Sequence, residues 1–341
     1  MPQYQTLTAA EFIMPEAFLP AGGYELAHIG KWHVSKGDND PNDFGWPYFS
    51  GPEPFRSGVP SYFKWTKRTN GVNTPTTKYA TTDSVDEAIA AIARAQARSV
   101  PYFIEVAFNA PHSPFHKPPN ELHSYDALPP YGNGVNPRPY YEAMIEALDT
   151  EIGRLLQHVS LADTTVIFLG DNGSRDTVVV PPYQSTRSKG TMYQNGVRIP
   201  MLIAGAGVVQ PKRMITALVS AVDIFPTVLD LAGIDLASVV PPGTKIDGLS
   251  MVPLMENRTG GARHQYIYTE RFTSSFDQHY QRAIRNFEFK LIKRAGGSRE
   301  FYNLRKDPLE KTNLLTRALS STEQSKLNRL EAQLAALLAS R

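Results

Sequence analysis

The sequence has 341 residues, with 35 lysines and arginines against 33 aspartates and glutamates, so its formal net charge is +2. This near balance argues against a general nucleic-acid or membrane-surface binder, because such proteins carry a strong basic excess. Cysteine is absent, which excludes disulfides, thiolate metal sites, iron–sulfur clusters and a cysteine nucleophile within these residues.

No targeting or membrane segment stands out in the sequence. No apolar run of eighteen residues occurs, so we expect no transmembrane helix. Residues 1–23 lack a basic start and a continuous apolar stretch, and they do not resemble a signal peptide. A cytoplasmic location is therefore the default expectation.

Short apolar segments rich in β-forming residues predict strands over residues 101–108, 164–169 and 199–204. We expect the first two to be buried strands of a largely parallel sheet. Helical spacing of apolar residues predicts helices over residues 83–98, 140–160 and 222–232. This alternation predicts an α/β fold, a three-layer sandwich with a mostly parallel central sheet.

The pattern of predicted elements changes near residue 261. Antiparallel strands are predicted over residues 264–272 and 283–293, followed by a strand-like segment at 301–304 and a helix over 322–340. Ser320 and Glu323 form a candidate capping box for this helix. The predicted organisation is an α/β domain over residues 1–260 and a small α+β subdomain over 261–341.

Polar residues that directly follow the predicted strands are the first candidates for a site, because ligands gather at the carboxyl ends of parallel strands. His112 follows the first strand, and Asp171 with Asn172 follows the second. The alternative interpretation of Asp171 and Asn172 is an Asx turn, and that of His112 is a plain loop histidine.

A second group of candidates lies outside these strand ends. Lys31 and His33 flank Trp32, so in an extended segment both side chains would point to one side. Lys189 is a further candidate, although most lysines are simply solvated. For His116 and His123, which lie close to His112 in the sequence, we favour surface roles.

Five segments carry a resemblance to a known family. They are Gly23-Tyr24 with Gly30-Lys31-Trp32-His33, Ala110-Pro111-His112-Ser113-Pro114, Asp171-Asn172-Gly173, Ser188-Lys189-Gly190-Thr191 with Gly196-Val197-Arg198-Ile199-Pro200, and Val222-Asp223-Ile224-Phe225-Pro226-Thr227. In this order they resemble the sulfatase family of the alkaline phosphatase superfamily. The resemblance implies a large α/β domain, a small C-terminal antiparallel sheet packed with a helix, and a hydrolase of sulfate- or phosphate-type esters.

The resemblance also implies a role for each candidate residue. It places Lys31, His33 and Lys189 at the sulfate oxygens, His112 near the leaving oxygen, and Asp171 with Asn172 on a divalent metal. Cleavage of such an ester needs positive charge around its outer oxygens and a proton donor at the departing oxygen. The implied catalytic and substrate-binding groups have the chemistry for both tasks.

The chain departs from the family pattern in one respect. The family begins with a strand that ends in paired aspartates, followed by a Cys/Ser-x-Pro-x-Arg loop whose first residue becomes the formylglycine nucleophile. This sequence has no adjacent aspartates, no cysteine and no such serine loop. We therefore expect a sulfatase-like chain without the first strand and without formylglycine. A gene truncation, a split protein and a cloned fragment all fit this pattern.

The expected cofactor is a divalent metal. Asp171 and Asn172 alone offer fewer ligands than the roughly six to eight oxygens that calcium takes. Imidazoles from His33 or His112 would shift the preference to zinc or manganese, with calcium as the alternative. Such a metal would activate water as the nucleophile. The expected activity therefore favours activated phosphotriesters or aryl esters over sulfate monoesters.

Two alternatives to this hydrolase stay open. The chain is either an inactive or split fragment that needs a complementing N-terminal segment, or a protein that binds oxyanions through Lys31, His33 and Lys189 without turnover. The expected partner in every case is a small-molecule ester, with no nucleic acid and no membrane. A homo-oligomer is also expected, because a missing central strand would leave a sheet edge to be covered.

Overall fold

The computed structural model describes residues 7–8, 11–34, 41–53, 58–258, 263–272 and 280–340. These residues form two compact units. The first, here called the N-terminal unit, runs to residue 164 and includes residues 229–245; the second, the C-terminal unit, comprises residues 165–228 and 246–340. The domain boundary expected near residue 261 stays a prediction.

Eleven strands and eight α-helices make up the described chain. The strands are β1 (Glu25–Gly30), β2 (Tyr48–Pro52), β3 (Trp65–Thr69), β4 (Val72–Thr76), β5 (Tyr102–Ala107), β6 (Thr165–Leu169), β7 (Met201–Gly205), β8 (Ile267–Arg271), β9 (Gln281–Arg285), β10 (Phe289–Arg294) and β11 (Arg299–Asn303). The helices are α1 (Met14–Phe18), α2 (Ala80–Ala97), α3 (Arg138–Leu156), α4 (Gln194–Val197), α5 (Ile224–Leu231), α6 (Leu236–Val239), α7 (Val252–Met255) and α8 (Ser321–Ala339). None of the helices in the described residues is both long and apolar enough to cross a membrane.

The N-terminal unit is built on a mixed five-stranded sheet in the order β4-β3-β2-β1-β5. Strand β1 is parallel to both β2 and β5, whereas β2, β3 and β4 form an antiparallel meander. All six residues of β1 are buried. On one face of the sheet, Ala27 and Ile29 pack against Ala88 and Ala91 of α2. Small side chains on α2 therefore let this helix lie close to the central strand.

The contact between β1 and β5 is unusually close at its carboxyl end. Gly30 pairs with Ala107, and its φ of +95° lies in a region that L side chains rarely adopt. A Cβ atom at Gly30 would stand only 2.2 Å from the carbonyl oxygen of Ala107. The next amide, that of Lys31, donates to the same carbonyl at 2.8 Å. Glycine is therefore required where the chain leaves β1.

Strand β5 lies at the edge of this sheet. Within the described residues no strand pairs with its second edge, and its residues are half-buried or, at Glu105, exposed. The strand itself is confirmed, but the expectation that it is buried is wrong. The physical reason is its edge position, which leaves the apolar side chains of β5 without a neighbour on one side.

In the C-terminal unit, β6 and β7 form a two-stranded antiparallel sheet. The expectation of a parallel partner for β6 is wrong. Two consecutive parallel strands are joined by a crossover connection of a dozen residues or more, usually an α-helix. The segment between β6 and β7 contains only 3-10 turns and the four-residue helix α4 within its described residues.

The second sheet of this unit is antiparallel, in the order β11-β10-β9-β8. The single strand predicted over residues 283–293 is in fact two, because Asn286 makes a turn between β9 and β10. Its side-chain oxygen accepts from the amides of Glu288 at 2.9 Å and Phe289 at 2.7 Å. The predicted capping box of Ser320 and Glu323 is confirmed at the start of α8.

Helix α8 covers one face of the four-stranded sheet. Leu327, Leu330 and Leu334 are buried there against a layer of strand side chains, which are Ile284, Phe289, Leu291 and Phe301. Because these positions repeat at helical spacing, they form an apolar stripe along α8. Leu337, one turn further along the helix, is half-buried.

A buried ion pair ties this sheet to the loops around it. Lys290 on β10 and Glu310 are each 1% exposed, and their charged atoms lie 2.8 Å apart. Burial lowers the pKa of Lys290 to about 8, although the charge of Glu310 acts in the opposite direction. Glu310 also accepts from the amide of Gln194, at the start of α4. The pair therefore fixes the loop that leads into α4.

The substitution Gly30→Ala tests the close contact between β1 and β5. The new Cβ would meet the carbonyl oxygen of Ala107 and would force an unfavourable φ, so we expect the free energy of unfolding to fall by ~2–5 kcal/mol. Urea denaturation measures this change. Gly153→Ala, in the last turn of α3, is the control: a Cβ there meets nothing within 4 Å and should stabilise by at most ~1 kcal/mol. Equal effects of the two substitutions would contradict the close-contact interpretation.

Candidate active site

Trp32 anchors the segment of Lys31, Trp32 and His33 that follows β1. The Trp32 ring packs against His28, with centroids 5.1 Å apart, and against Phe44 at 5.7 Å. The carbonyl of Lys31 accepts from the His28 ring at 3.1 Å. His33 has a φ of +52°, so the segment is not extended, and the strand-alternation argument for Lys31 and His33 is wrong. Lys31 is half-buried and His33 is exposed.

His112, in the loop after β5, forms hydrogen bonds through its amide, its carbonyl and its ring. Its amide donates to the carbonyl of Asn109 at 2.9 Å, and its own carbonyl accepts from the Tyr62 hydroxyl at 2.9 Å. The ring nitrogen Nδ1 lies 2.8 Å from the carbonyl of Ser113. Because a carbonyl can only accept, Nδ1 carries a hydrogen in this contact.

Lys31 and the loop of His112 leave adjacent strand ends. Gly30 and Ala107 are paired in the parallel register of β1 and β5, so the chain runs on from both strands at one edge of the sheet. Asn109, which begins the second loop, is 6% exposed, and its side-chain oxygen has no hydrogen-bond partner in the described chain. Such a buried acceptor is unusual, and a bound water or ligand is the usual way to satisfy it.

Asp171 and Asn172 follow β6 in the C-terminal unit, as predicted. One carboxylate oxygen of Asp171 accepts from the amide of Asn172 at 2.8 Å and from its side-chain nitrogen at 2.6 Å. Asp171 is exposed. Both bonds join Asp171 to the residue directly after it, whereas an Asx turn would bond the amide two residues on.

The loop of Lys189 is hydrogen-bonded to the loop of Asp171. The amide of Lys189 donates to the carbonyl of Ser174 at 3.0 Å, and the amide of Gly173 donates to that of Gly196 at 2.9 Å. A Cβ at Gly173 would lie 1.9 Å from the carbonyl oxygen of Asn195, so the two loops touch through their main chains. The C-terminal unit thus brings three predicted residues to neighbouring loops.

The predicted metal site has few ligands among the described residues. Asp171 and Asn172 offer two oxygen donors, and the described residues hold no group of three or more histidines, aspartates or glutamates suited to a metal ion. Calcium takes six to eight oxygens, and zinc takes about four ligands. These donors by themselves do not make a metal site. The divalent cofactor, with His33 or His112 among its ligands, stays a prediction.

The sequence interpretation missed the surroundings of His116. Nδ1 of His116 donates to the carbonyl of Pro114 at 2.9 Å, and Nε2 lies 3.0 Å from the Tyr79 hydroxyl. The ring packs on that of Tyr62, with centroids 4.3 Å apart, and burial lowers the pKa of His116 to about 4. His123 is also buried, contrary to a surface role. The aromatic pair Tyr62-Phe63 was visible in the sequence, but the spacing of residues along the chain does not show that these rings contact His116.

Two family models match the chain. The model described as Sulfatase matches residues 4–234, and the model described as N-sulphoglucosamine sulphohydrolase, C-terminal, matches residues 186–339. Among curated relatives, an uncharacterized sulfatase of Escherichia coli (strain K12), YdeN, is 26% identical over 302 residues, covering 78% of this chain and 51% of the relative. The N-acetylgalactosamine-6-sulfatase of Canis lupus familiaris is 28% identical over 272 residues, covering 72% of this chain and 48% of the relative.

A solved structure supports the fold. The crystal structure of Ps i-CgsB aligns with a TM-score of 0.79 and 22% identity, over 98% of this chain and 77% of that chain. The predicted fold class is confirmed by this likeness and by the observed sheets. The chain spans about half the length of the curated relatives named above.

The lowered pKa of the half-buried His116 predicts an acid-dependent loss of stability. The unfolded chain protonates this histidine near the ordinary pKa of 6.5, and the folded chain only near 4. Between these values the unfolded state binds more protons, so the free energy of unfolding should fall by up to ~3 kcal/mol as the pH drops from about 6.5 to 4. Urea denaturation at several pH values measures this slope.

His116→Gln should flatten the slope in this pH range, whatever it does to stability at neutral pH. His158→Gln is the control, because His158 is exposed, and it should leave the slope unchanged. An unaltered slope in His116→Gln would show that other groups cause the acid sensitivity.

Proposed function

The chain belongs to the sulfatase family, and on that premise we propose that it is a hydrolase of sulfate- and phosphate-type esters. The observation that carries the proposal is the common strand-end edge from which Lys31 and the His112 loop depart in the N-terminal unit. A cation and a proton donor at one edge are the groups that cleavage of a charged ester requires.

In this proposal the cationic side chains bind the ester's charged oxygens. Lys31 leaves β1 with its backbone fixed by Ala107 and Trp32 beside it, so its ammonium starts from a rigid position. His33 follows in the same segment. Lys189, on the loop of the C-terminal unit that is bonded to the Asp171 loop, keeps the oxyanion-binding role that the family resemblance implies. Positive charge here stabilises the negative charge that grows on the oxygens in the transition state.

His112 is the proposed acid at the leaving oxygen. Its Nδ1–H is donated to the Ser113 carbonyl, which orients the ring, so the protonated imidazole delivers the Nε2 proton. As the ester bond to sulfur or phosphorus breaks, that proton goes to the departing oxygen and releases a neutral alcohol. The Tyr62 hydroxyl holds the backbone of His112 during this step.

Water is the proposed nucleophile within this chain, because the 341 residues contain no cysteine and no Ser-x-Pro-x-Arg sequence. Sulfate and phosphate monoesters carry charge that resists direct attack by water or hydroxide. Neutral phosphotriesters and activated aryl esters accept it more readily. We therefore propose that the chain on its own favours activated triesters and aryl esters over sulfate monoesters.

A panel of chromogenic esters tests this proposal. It contains a sulfate monoester, a phosphate monoester, a phosphodiester, a phosphotriester and a carboxylic ester. We expect turnover to be fastest on the triester or the carboxylic ester. Replacing Lys31, Lys189 or His112 by alanine should lower kcat/KM by about 10- to 100-fold for the preferred ester, as expected for loss of one cation or of an acid.

The His158→Gln variant is the control for His112, and Lys326→Ala is the control for the two lysines. Both residues lie outside the proposed site in sequence and carry no assigned role. Sensitivity of the turnover to a chelator decides the separate question of the metal. Fast hydrolysis of the aryl sulfate by the pure chain would contradict the proposed preference for triesters and carboxylic esters. Full activity in His112→Ala would contradict the proposed role of His112 as the acid.

A second candidate function follows from the free edge of β5. In this alternative the chain is a sulfatase that works on sulfate monoesters only when a further strand, carrying the nucleophile, pairs with that edge. The apolar side chains of β5 favour such a strand, and so does its second backbone edge, with which no strand of the described residues pairs. Self-association through β5, which accounts for the proposed homo-oligomer, is a competing way to cover the same edge.

Amide hydrogen exchange tests this second candidate. We would add a peptide with a strand that ends in two aspartates and continues into a Ser-x-Pro-x-Arg loop. The amides of β5 should exchange at least several-fold more slowly, whereas those of β4, the opposite edge of the same sheet, should not change. Equal protection of both edges, or of neither, would contradict specific pairing. Protection that rises with protein concentration alone would indicate self-association instead.

A further inference from the structure

His28 is a buried titratable residue to which the proposed reaction gives no role. It lies in the middle of β1, is 2% exposed, and projects from the face of the sheet turned away from α2. One polar group stands at each of its ring nitrogens. The carbonyl of Lys31 lies 3.1 Å from Nε2, and a carboxylate oxygen of Glu105 on β5 lies 3.3 Å from Nδ1. A carbonyl and an ionised carboxylate can only accept a hydrogen bond.

Neither neutral form of the His28 ring satisfies both neighbours. A neutral imidazole carries a hydrogen on one nitrogen and a lone pair on the other. With the hydrogen on Nε2, the lone pair of Nδ1 faces the carboxylate of Glu105; with the hydrogen on Nδ1, the lone pair of Nε2 faces the carbonyl of Lys31. Nδ1 has no aligned hydrogen bond in the described chain, so its contact with Glu105 is an ion pair. The doubly protonated ring is the form that matches both acceptors.

The aromatic rings around His28 also favour a cation. The centroid of the His28 ring lies 5.1 Å from that of Trp32, 5.4 Å from that of Trp46 and 6.0 Å from that of Phe49, which stacks on it. Aromatic faces attract a cation that lies within about 6 Å of the ring centroid. Burial alone disfavours a charged imidazole. The three rings and the carboxylate of Glu105 offset that cost.

Glu105 is the charged side chain that faces His28 from the neighbouring strand. The two residues are paired in the parallel register of β1 and β5. Burial acts to raise the pKa of Glu105, but contact with His28 and the charge of its ring outweigh burial and lower the pKa. Tyr48 on β2 is bonded to Glu87 of α2, on the other face of the sheet. Further titratable residues in the segments around the ring are Lys31 and His33 after β1, and Asp43 in the turn at residues 41–44.

We propose that His28 is a buried imidazolium that positions Lys31 through its carbonyl, with Glu105 as the counter-ion. A charged donor binds an acceptor about twice as strongly as a neutral one, so the second proton of the ring tightens the bond to Lys31. The counter-ion stands on the strand that runs into the loop of His112. His28 is thus a positioning residue. The task of Lys31 rests on the proposed function, whereas the protonation of His28 does not.

Glu105→Gln tests the protonation of His28 without emptying the core. Glu105 is 50% exposed, and a glutamine can donate to the lone pair of a neutral Nδ1, so the variant ring no longer needs its second proton. NMR of the histidine ring nitrogens is recorded on the full chain at about pH 7.5, one unit above the ordinary pKa of histidine.

We expect hydrogen on both ring nitrogens of His28 in the unaltered chain and on one in Glu105→Gln. The exposed His158 is the reference and should carry one hydrogen in both proteins. A lone pair on either nitrogen of His28 in the unaltered chain would overturn the proposal.

The backbone carbonyl resonance of Lys31 measures its positioning in the absence of substrate. It should differ between the unaltered chain and Glu105→Gln at the same pH, because the bond that it accepts loses its charge. Glu121→Gln is the matched control, since Glu121 is an exposed glutamate in the turn Asn120–Leu122, and it should leave this resonance unchanged. A Lys31 resonance that is identical in all three proteins would show that His28 does not position Lys31.

Calorimetry with inorganic sulfate, and kcat/KM for the preferred ester, test what the positioning does. Glu105→Gln should weaken both by about 3- to 10-fold, the difference between a charged and a neutral hydrogen bond. The net charge of the His28 pair is zero before and after this change, so the loss is not one of electrostatic attraction. In the Lys31→Ala background, Glu105→Gln should cause no further loss. Equal losses with and without Lys31 would overturn the positioning role.

These outcomes separate failure of this inference from failure of the proposed function. A doubly protonated His28 that moves the Lys31 carbonyl, in a chain that neither binds sulfate nor cleaves esters, would support the pair and remove the hydrolase. Ester cleavage by a chain whose His28 is neutral would overturn the inference and leave the hydrolase in place.

Discussion

Contacts between main chains, without room for a Cβ, determine where the predicted catalytic residues stand. At Gly30 the chain leaves β1 against the carbonyl of Ala107, and the next residue is Lys31. At Gly173 the Asp171 loop touches the main chain at Asn195. Main chain is far stiffer than a long side chain, so such contacts place the flanking residues with little freedom. In each unit, a main-chain contact at a glycine thus positions the candidate residues beside it.

Ion pairs of the buried carboxylates Glu310 and Glu25 stabilise the segments that make these contacts. In the C-terminal unit, Lys290 neutralises Glu310, and Glu310 binds the amide of Gln194 beside the Gly173 contact. Removing one partner of such a buried pair leaves an uncompensated charge and costs ~3–5 kcal/mol. In the N-terminal unit, Glu25 at the start of β1 binds Arg94 of α2 and Arg98 directly after that helix, each at 2.9 Å. The loops are therefore extensions of well-anchored strands.

Local sequence patterns predicted which residues form strands and helices better than they predicted which strands pair with each other. The strands at residues 102–107, 165–169 and 201–205, and the capped helix α8, follow from composition and spacing. The partner of each strand does not, because pairing depends on chain segments distant in sequence. The same limit applies to the site. Motifs identified Lys31, His112 and Asp171, but the left-handed turn at His33 and the aromatic surroundings of His116 arise from tertiary contacts.

Strand β5 shows this disagreement between local pattern and position most clearly. Tyr102, Phe103, Ile104 and Val106 direct apolar side chains to both faces, a composition typical of strands in the interior of a sheet. Edge strands usually carry charges that discourage further pairing. The one charge on β5 is Glu105, which lies 3.3 Å from the ring of the buried His28 on β1 and is thus engaged within its own sheet. The edge consequently keeps an interior strand's capacity to pair, on the strand that leads directly into the loop of His112.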